Sequence, residues 1–137
     1  MNEKPKILII EDDIDLVESI KKLLETKGFN SIITYDPEDG NVKLKQERPD
    51  IIILDVMFGS KGETKGFDFA RKIKNDKLYA DIPILMISAI NTQEPFFSFS
   101  PETDGEYLPV DCFLDKPIQP DELFSKIEDF LKPKINI

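Results

Sequence analysis

Apolar residues fall along this chain in short unbroken runs, and between the runs they recur at helical spacing. Ile7-Leu8-Ile9-Ile10, Ile51-Ile52-Ile53-Leu54 and Ile84-Leu85-Met86-Ile87 have no polar interruption, as expected of strands buried on both faces. The pattern predicts five strands, at about 6–10, 31–35, 50–55, 83–88 and 111–115. Between the first two, Leu16, Val17, Ile20, Leu23 and Leu24 form one apolar helical stripe, and Gly28 supplies a stop. Leu123, Phe124, Ile127, Phe130 and Leu131 repeat that spacing near the end of the chain. Pro120 suits the first turn there, and Asp121 and Glu122 complement the helix dipole. A third helix, at about 66–75, turns Phe67, Ala70 and Ile73 inward. A fourth, at about 37–47, is weakened by Gly40. Alternation of this kind predicts an α/β domain, a doubly wound parallel sheet with helices on both faces.

One segment breaks the alternation. Residues 91–109 include Pro95, Pro101, Pro109 and Gly105, with Phe96, Phe97 and Phe99 among them. Proline removes a donor and collides with the preceding turn, so a loop with at most a short helix near 101–107 is expected. The three phenylalanines read either as a partner-binding patch or as packing folded back over the sheet. The second reading is preferred, because an unoccupied apolar patch is costly. No repeat or linker divides the chain. One domain over 1–131 and a short tail over 132–137 are expected.

Several apolar runs end in reactive side chains. The first is closed by Glu11-Asp12-Asp13, the third delivers Asp55, the fourth ends in Ser88, and the fifth gives Asp115 and Lys116 before Pro117. In an open parallel sheet, ligands gather outside the carboxyl ends of the strands. The acids, the hydroxyl and the ammonium are therefore expected at one edge. Each has a plainer reading: Asp12 and Asp13 precede a helix, where Asp is a favoured N-cap, Asp55 could turn the chain, Ser88 could be a loop hydroxyl and Lys116 a solvated charge. Those readings would have to coincide at a single edge.

Composition narrows the chemistry. With 137 residues, 40% hydrophobic and 33% charged, the chain fits a soluble globular domain with one substantial core. No apolar run approaches the roughly 20 residues of a membrane helix, and the first ten residues lack the features of a secretion signal, so a cytoplasmic address is expected. The net charge of −9 argues against direct nucleic-acid binding, which rests on Lys and Arg at phosphates. The chain has no histidine, which removes imidazole catalysis, histidine metal ligation and a histidine phosphoacceptor together. The single Cys112 sits in an apolar strand and reads as a buried thiol. Two carboxylates about 4 Å apart repel by about 4 kcal/mol at an effective dielectric near 20, so a packed acid cluster calls for a cation. Hard oxygen ligands with room for water and phosphate oxygens suit Mg2+. Asp is also a recognised covalent nucleophile toward phosphoryl groups.

Five pieces in order carry a family resemblance: Ile7-Leu8-Ile9-Ile10-Glu11-Asp12-Asp13, Pro49-Asp50 through Asp55, Gly66-Phe67-Asp68, Ile87-Ser88-Ala89 and Phe113-Leu114-Asp115-Lys116-Pro117. The chain resembles the receiver domain of two-component response regulators, in the single-domain layout of the chemotaxis type. The resemblance implies a flavodoxin-like (βα)5 fold with strand order 2-1-3-4-5, here with the helix between strands four and five short or irregular. It implies that Asp55 is the phosphoacceptor, that Asp13 ligates Mg2+ directly and Asp12 through water, and that Asp55 and the Met57 backbone carbonyl complete the ligands. Ser88 would be the switch hydroxyl, Lys116 the ammonium that pairs with the phosphoryl group, and Pro117 a cis-linked turn proline. Phe113 would be the switch aromatic, unless it is simply core. The implied partners are a histidine kinase or phosphotransfer protein and an unidentified downstream protein, with no direct nucleic acid and no membrane. A monomer or weak dimer is expected, and output would pass through protein contacts or through a further domain.

Two departures from the family stand out. The stretch from Phe58 to Lys65 is longer than usual and carries Gly where Pro is common, and the 91–109 segment replaces a regular helix. The first would tune the lifetime of a phosphorylated aspartate, and the second puts the usual dimer in doubt. The alternative reading is a degenerate receiver that serves as a phosphorylation-independent scaffold. An aspartate-nucleophile phosphatase is disfavoured because Met57 stands where a second acid belongs. A flavin-binding flavodoxin is disfavoured because the turn after the first strand is acidic.

Overall fold

The computed structural model describes residues 4–55, 65–88, 111–115 and 117–135. Five parallel strands alternate with helices: β1 (Lys6–Ile10), α1 (Ile14–Thr26), β2 (Asn30–Thr34), α2 (Pro37–Glu47), β3 (Ile51–Asp55), α3 (Lys65–Lys74), β4 (Ile84–Ser88), β5 (Cys112–Asp115) and α4 (Pro120–Ile135). They form one sheet in the order β2-β1-β3-β4-β5, as the resemblance implies. Segments 56–64 and 89–110 lie outside the described residues, and with them both departures from the family pattern.

The core lies in two layers because the strands are apolar on both faces. Ile7, Ile9, Ile51, Ile53, Leu85 and Ile87 pack against α1 and α4 through Val17, Ile20, Leu24, Leu123 and Ile127. The alternate positions, Leu8, Ile10, Ile52, Leu54, Ile84 and Met86, pack against Leu44 of α2 and Phe69, Ala70 and Ile73 of α3. This period of two, applied to an unbroken run of Ile and Leu, is what lets helices cover both faces.

The local stops follow backbone chemistry. At the end of α1, Phe29 N–H donates to the Leu24 carbonyl at 3.0 Å and Gly28 N–H to the Glu25 carbonyl at 3.0 Å. This is the paired Schellman closure, and Gly28 takes the left-handed φ of 81° that it requires. At α2, Asp36 caps the first turn by accepting the Asp39 N–H at 2.9 Å, and Pro37 opens the helix. Gly40, which reads as a helix breaker, lies inside α2 for a packing reason. A Cβ built there would fall 2.5 Å from Ile10 Cδ1 on β1, so any larger residue must displace the end of that side chain.

Candidate functional site

Strand parity and pairing bring the acids together. Glu11 follows β1 on the same side as Ile7 and Ile9, and Asp55 ends β3 on the same side as Ile51 and Ile53. Ile10 pairs with Leu54, so the next step along each strand brings Glu11 opposite Asp55. Asp12 follows in the turn. One carboxylate oxygen from each of Glu11, Asp12 and Asp55 lies within 4.8 Å of the others. Glu11 and Asp55 are 1% and 2% exposed, while Asp12 faces solvent, which leaves one open side to the cluster.

A short network fixes the turn. Glu11 N–H donates to the Thr34 carbonyl of β2 at 3.2 Å, and Thr34 Oγ1 donates to the Ile9 carbonyl at 3.0 Å. Glu11 Oε2 accepts the Asp13 N–H at 2.9 Å. Asp13 then accepts the Leu16 N–H through Oδ1 at 3.2 Å and serves as the N-cap of α1.

The grouping of the acids differs from the sequence reading. Asp13, expected to be a direct metal ligand, caps α1 through Oδ1, and the acids whose oxygens converge are Glu11, Asp12 and Asp55. The signal for Glu11 was present in strand parity. It was overshadowed by the reading of the Asp12-Asp13 pair as the ligands.

The remaining site residues occupy neighbouring strand ends. Asp55 pairs with Ile87, and Ser88 is the next residue of β4, at the same edge as the acids. Ser88 pairs in turn with Asp115, the last residue of β5. Lys116 follows Asp115 directly in sequence but lies, like Met57, outside the described residues. Phe113 pairs with Met86 and is partly buried against the layer that faces α2 and α3. Pro117 lies in the bend before α4.

An arrangement of this kind gathers three hard oxygens with solvent on the Asp12 side, a donor set suited to an oxygen-seeking divalent cation. Asp55 is the member of the cluster that ends a strand and is almost fully buried. Among the described residues, no helix is long and apolar enough to cross a membrane.

Comparison with known proteins agrees with this geometry. The chain is 29% identical over 126 residues to the phosphate regulon transcriptional regulatory protein PhoB of Pseudomonas aeruginosa, an alignment covering 92% of this chain and 51% of that protein. It is 30% identical over 131 residues to the transcriptional regulatory protein YvrH of Bacillus subtilis, covering 95% and 50% respectively. The chain thus spans about half the length of these curated relatives. Among solved structures, a two-component response regulator from Clostridium difficile superposes with a TM-score of 0.78 at 25% identity, covering 98% of this chain and all of that one. The chemotaxis protein CheY4 of Vibrio cholerae gives a TM-score of 0.76 at 24% identity, over 94% of this chain and 100% of its own, and supports the fold. The family model of the response regulator receiver domain matches residues 7–128. Nearly the whole chain, acid cluster included, falls within that match, and the protein belongs to the response regulator receiver domains of two-component signalling.

Proposed function

We propose that the protein is a phosphorylation-controlled switch whose phosphoacceptor is Asp55. The observation that carries this reading is the gathering of Glu11, Asp12 and Asp55 at one strand edge, with Asp55 almost fully buried and Asp12 open to solvent. A carboxylate oxygen of Asp55 attacks phosphorus in line. The bond from phosphorus to its donor nitrogen or oxygen breaks, and the electron pair leaves on the donor. The donor lies outside this domain, which has no histidine. A histidine kinase or phosphotransfer protein fits that requirement.

Three carboxylates that must admit a phosphoryl group need positive charge. Glu11, Asp12 and Asp55, with the Met57 carbonyl, would hold Mg2+. The ion, when bound, neutralises charge on the transferred oxygens. Lys116 supplies a second positive charge from the end of β5, and Ser88 offers its hydroxyl to the phosphoryl oxygens. Asp13 does not belong to this set; its role is to start α1.

Phosphorylation adds a charge of about −1.5 to −2 at one point. Ser88 and Lys116 are drawn toward it, and Phe113 on β5 turns further into the core. Pro117 holds the turn that follows Lys116. Two states of one surface result, and a partner that prefers one of them reads the signal. With a net charge of −9, this domain does not itself bind nucleic acid, and output runs through protein contacts or through a further domain. The cytoplasm, where a lone thiol stays reduced, is the compartment that suits the chain.

The test uses beryllofluoride, a stable mimic of the phosphoryl group. Addition of Mg2+ with beryllofluoride should shift backbone amide resonances at Glu11, Asp12, Asp55 and Ser88, and Asp55→Asn should abolish the shifts. Unchanged resonances at these positions would refute the reading.

A further inference from the structure

The central strands of this sheet carry little register information of their own. From Ile7 to Ile10, Ile51 to Leu54 and Ile84 to Ile87, every side chain is Ile, Leu or Met, and all are fully buried. Where one sheet face is polar, a one-residue slip is penalised because it turns the apolar set outward. Here a slip exchanges one buried aliphatic side chain for another. The site nevertheless requires one register. Ile10 opposite Leu54 brings Glu11 to Asp55, and Ile87 opposite Leu114 sets Ser88 against Asp115, one residue before Lys116.

At the other end of the strands stand two matching polar clips. Asp50 lies one residue before β3. Its N–H donates to the Lys6 carbonyl at 2.8 Å, and its Oδ2 accepts the Lys6 N–H at 2.8 Å. Asp111 lies one residue before β5. Its N–H donates to the Ile84 carbonyl at 2.9 Å, and its Oδ2 accepts the Ile84 N–H at 2.8 Å. The same two-bond ring thus closes the β1–β3 and the β4–β5 ladders, each through a charge-assisted bond. The second clip is braced from behind. Lys74 Nζ lies 2.8 Å from Asp111 Oδ2 and donates to the carbonyls of Ala80 and Ile82 at 3.2 and 3.0 Å. Each ring fits one register only. A slip of β3 by one residue would bring Pro49, which has no N–H, or Ile51, which has no carboxylate, opposite Lys6.

We infer that Asp50 and Asp111 are register keys, positioning residues that act from the far end of the strands to set Glu11 against Asp55 and Ser88 against Asp115. The functional consequence rests on the phosphoacceptor reading above; the register itself can be measured without it. Asp50→Val removes the acceptor while keeping a strand-forming side chain, and Asp50→Asn keeps an acceptor oxygen. In Asp50→Val, cross-strand backbone NOEs between β1 and β3 should report more than one register. Affinity for Mg2+, titrated alone by calorimetry, should fall roughly tenfold to a hundredfold, the scale found when groups that orient metal ligands are removed. Asp50→Asn should restore both. Asp111→Val should disturb the β4–β5 NOEs, leave Mg2+ affinity unchanged and slow phosphoryl uptake from acetyl phosphate. A folded Asp50→Val with one native register and wild-type Mg2+ affinity would overturn the inference. Loss of folding in both valine variants would overturn it too, because the clips would then be general supports. If the wild type binds no Mg2+, the phosphoacceptor reading falls and the NOE pattern alone decides the register inference.

Discussion

Glu11 Oε2 accepts the backbone N–H of Asp13 at 2.9 Å, so one turn binds the acid cluster to the start of α1. The first acid supports the turn and joins the cluster, the second reaches the cluster from the solvent side, and the third caps the helix. Three consecutive carboxylates have three separate tasks.

That division predicts opposite outcomes for neighbouring substitutions. Asp13→Ala should cost about 1 kcal/mol of stability, the usual loss for an N-cap, and leave Mg2+ affinity essentially intact. Asp12→Ala should abolish Mg2+ binding with little effect on stability in EDTA. Urea unfolding with and without Mg2+ separates the two. Loss of Mg2+ binding in Asp13→Ala would return that residue to the ligand set.

Mutual repulsion within the cluster predicts a stability linkage. In EDTA, Asp55→Asn should be more stable than the wild type, because one of three crowded charges is gone. With free Mg2+ at a hundred times its Kd, the wild type should gain about 2.7 kcal/mol, and Asp55→Asn far less. Equal gains in the two proteins would place the ion elsewhere.

The approach of α2 to β1 predicts non-additivity. Gly40→Ala improves helix propensity by about 1 kcal/mol but forces its Cβ onto Ile10 Cδ1, an overpacking cost of about 1–3 kcal/mol. In an Ile10→Val background that methyl is gone, and Gly40→Ala should turn stabilising. A double-mutant cycle measured in urea reads this coupling directly. Additive effects would mean that Ile10 rotates away at no cost.

The parallel sheet and its helices were legible in the unbroken apolar runs and the helical spacing between them, while the strand order followed only from the family resemblance. The choice among Glu11, Asp12 and Asp13 was not legible. It turns on which residue directly precedes the first helical one, and helix starts are uncertain by a residue or two. Gly40 read as a flaw because its partner, Ile10, is distant in sequence. Lys74 and Asp111 carried no signal for the same reason, since the groups they meet are brought close only by folding.

Burial pushes the Cys112 thiol above its ordinary pKa, and the nearby Lys126 ammonium partly opposes the shift. The folded state therefore holds the thiol proton more tightly than the unfolded state. The associated stability is present below the ordinary thiol pKa and is lost as pH rises through the raised one. Alkylation by iodoacetamide at mildly alkaline pH should be slower in native protein than in urea, and slower still in Lys126→Met. Faster alkylation of the native protein would contradict the burial argument.

The most direct test of the phosphoacceptor assignment is intact mass after incubation with acetyl phosphate and Mg2+. The account predicts one added phosphoryl group, mapped to Asp55, absent in EDTA and absent in Asp55→Ala. An unchanged mass, or a phosphoryl group that persists in Asp55→Ala, would contradict it.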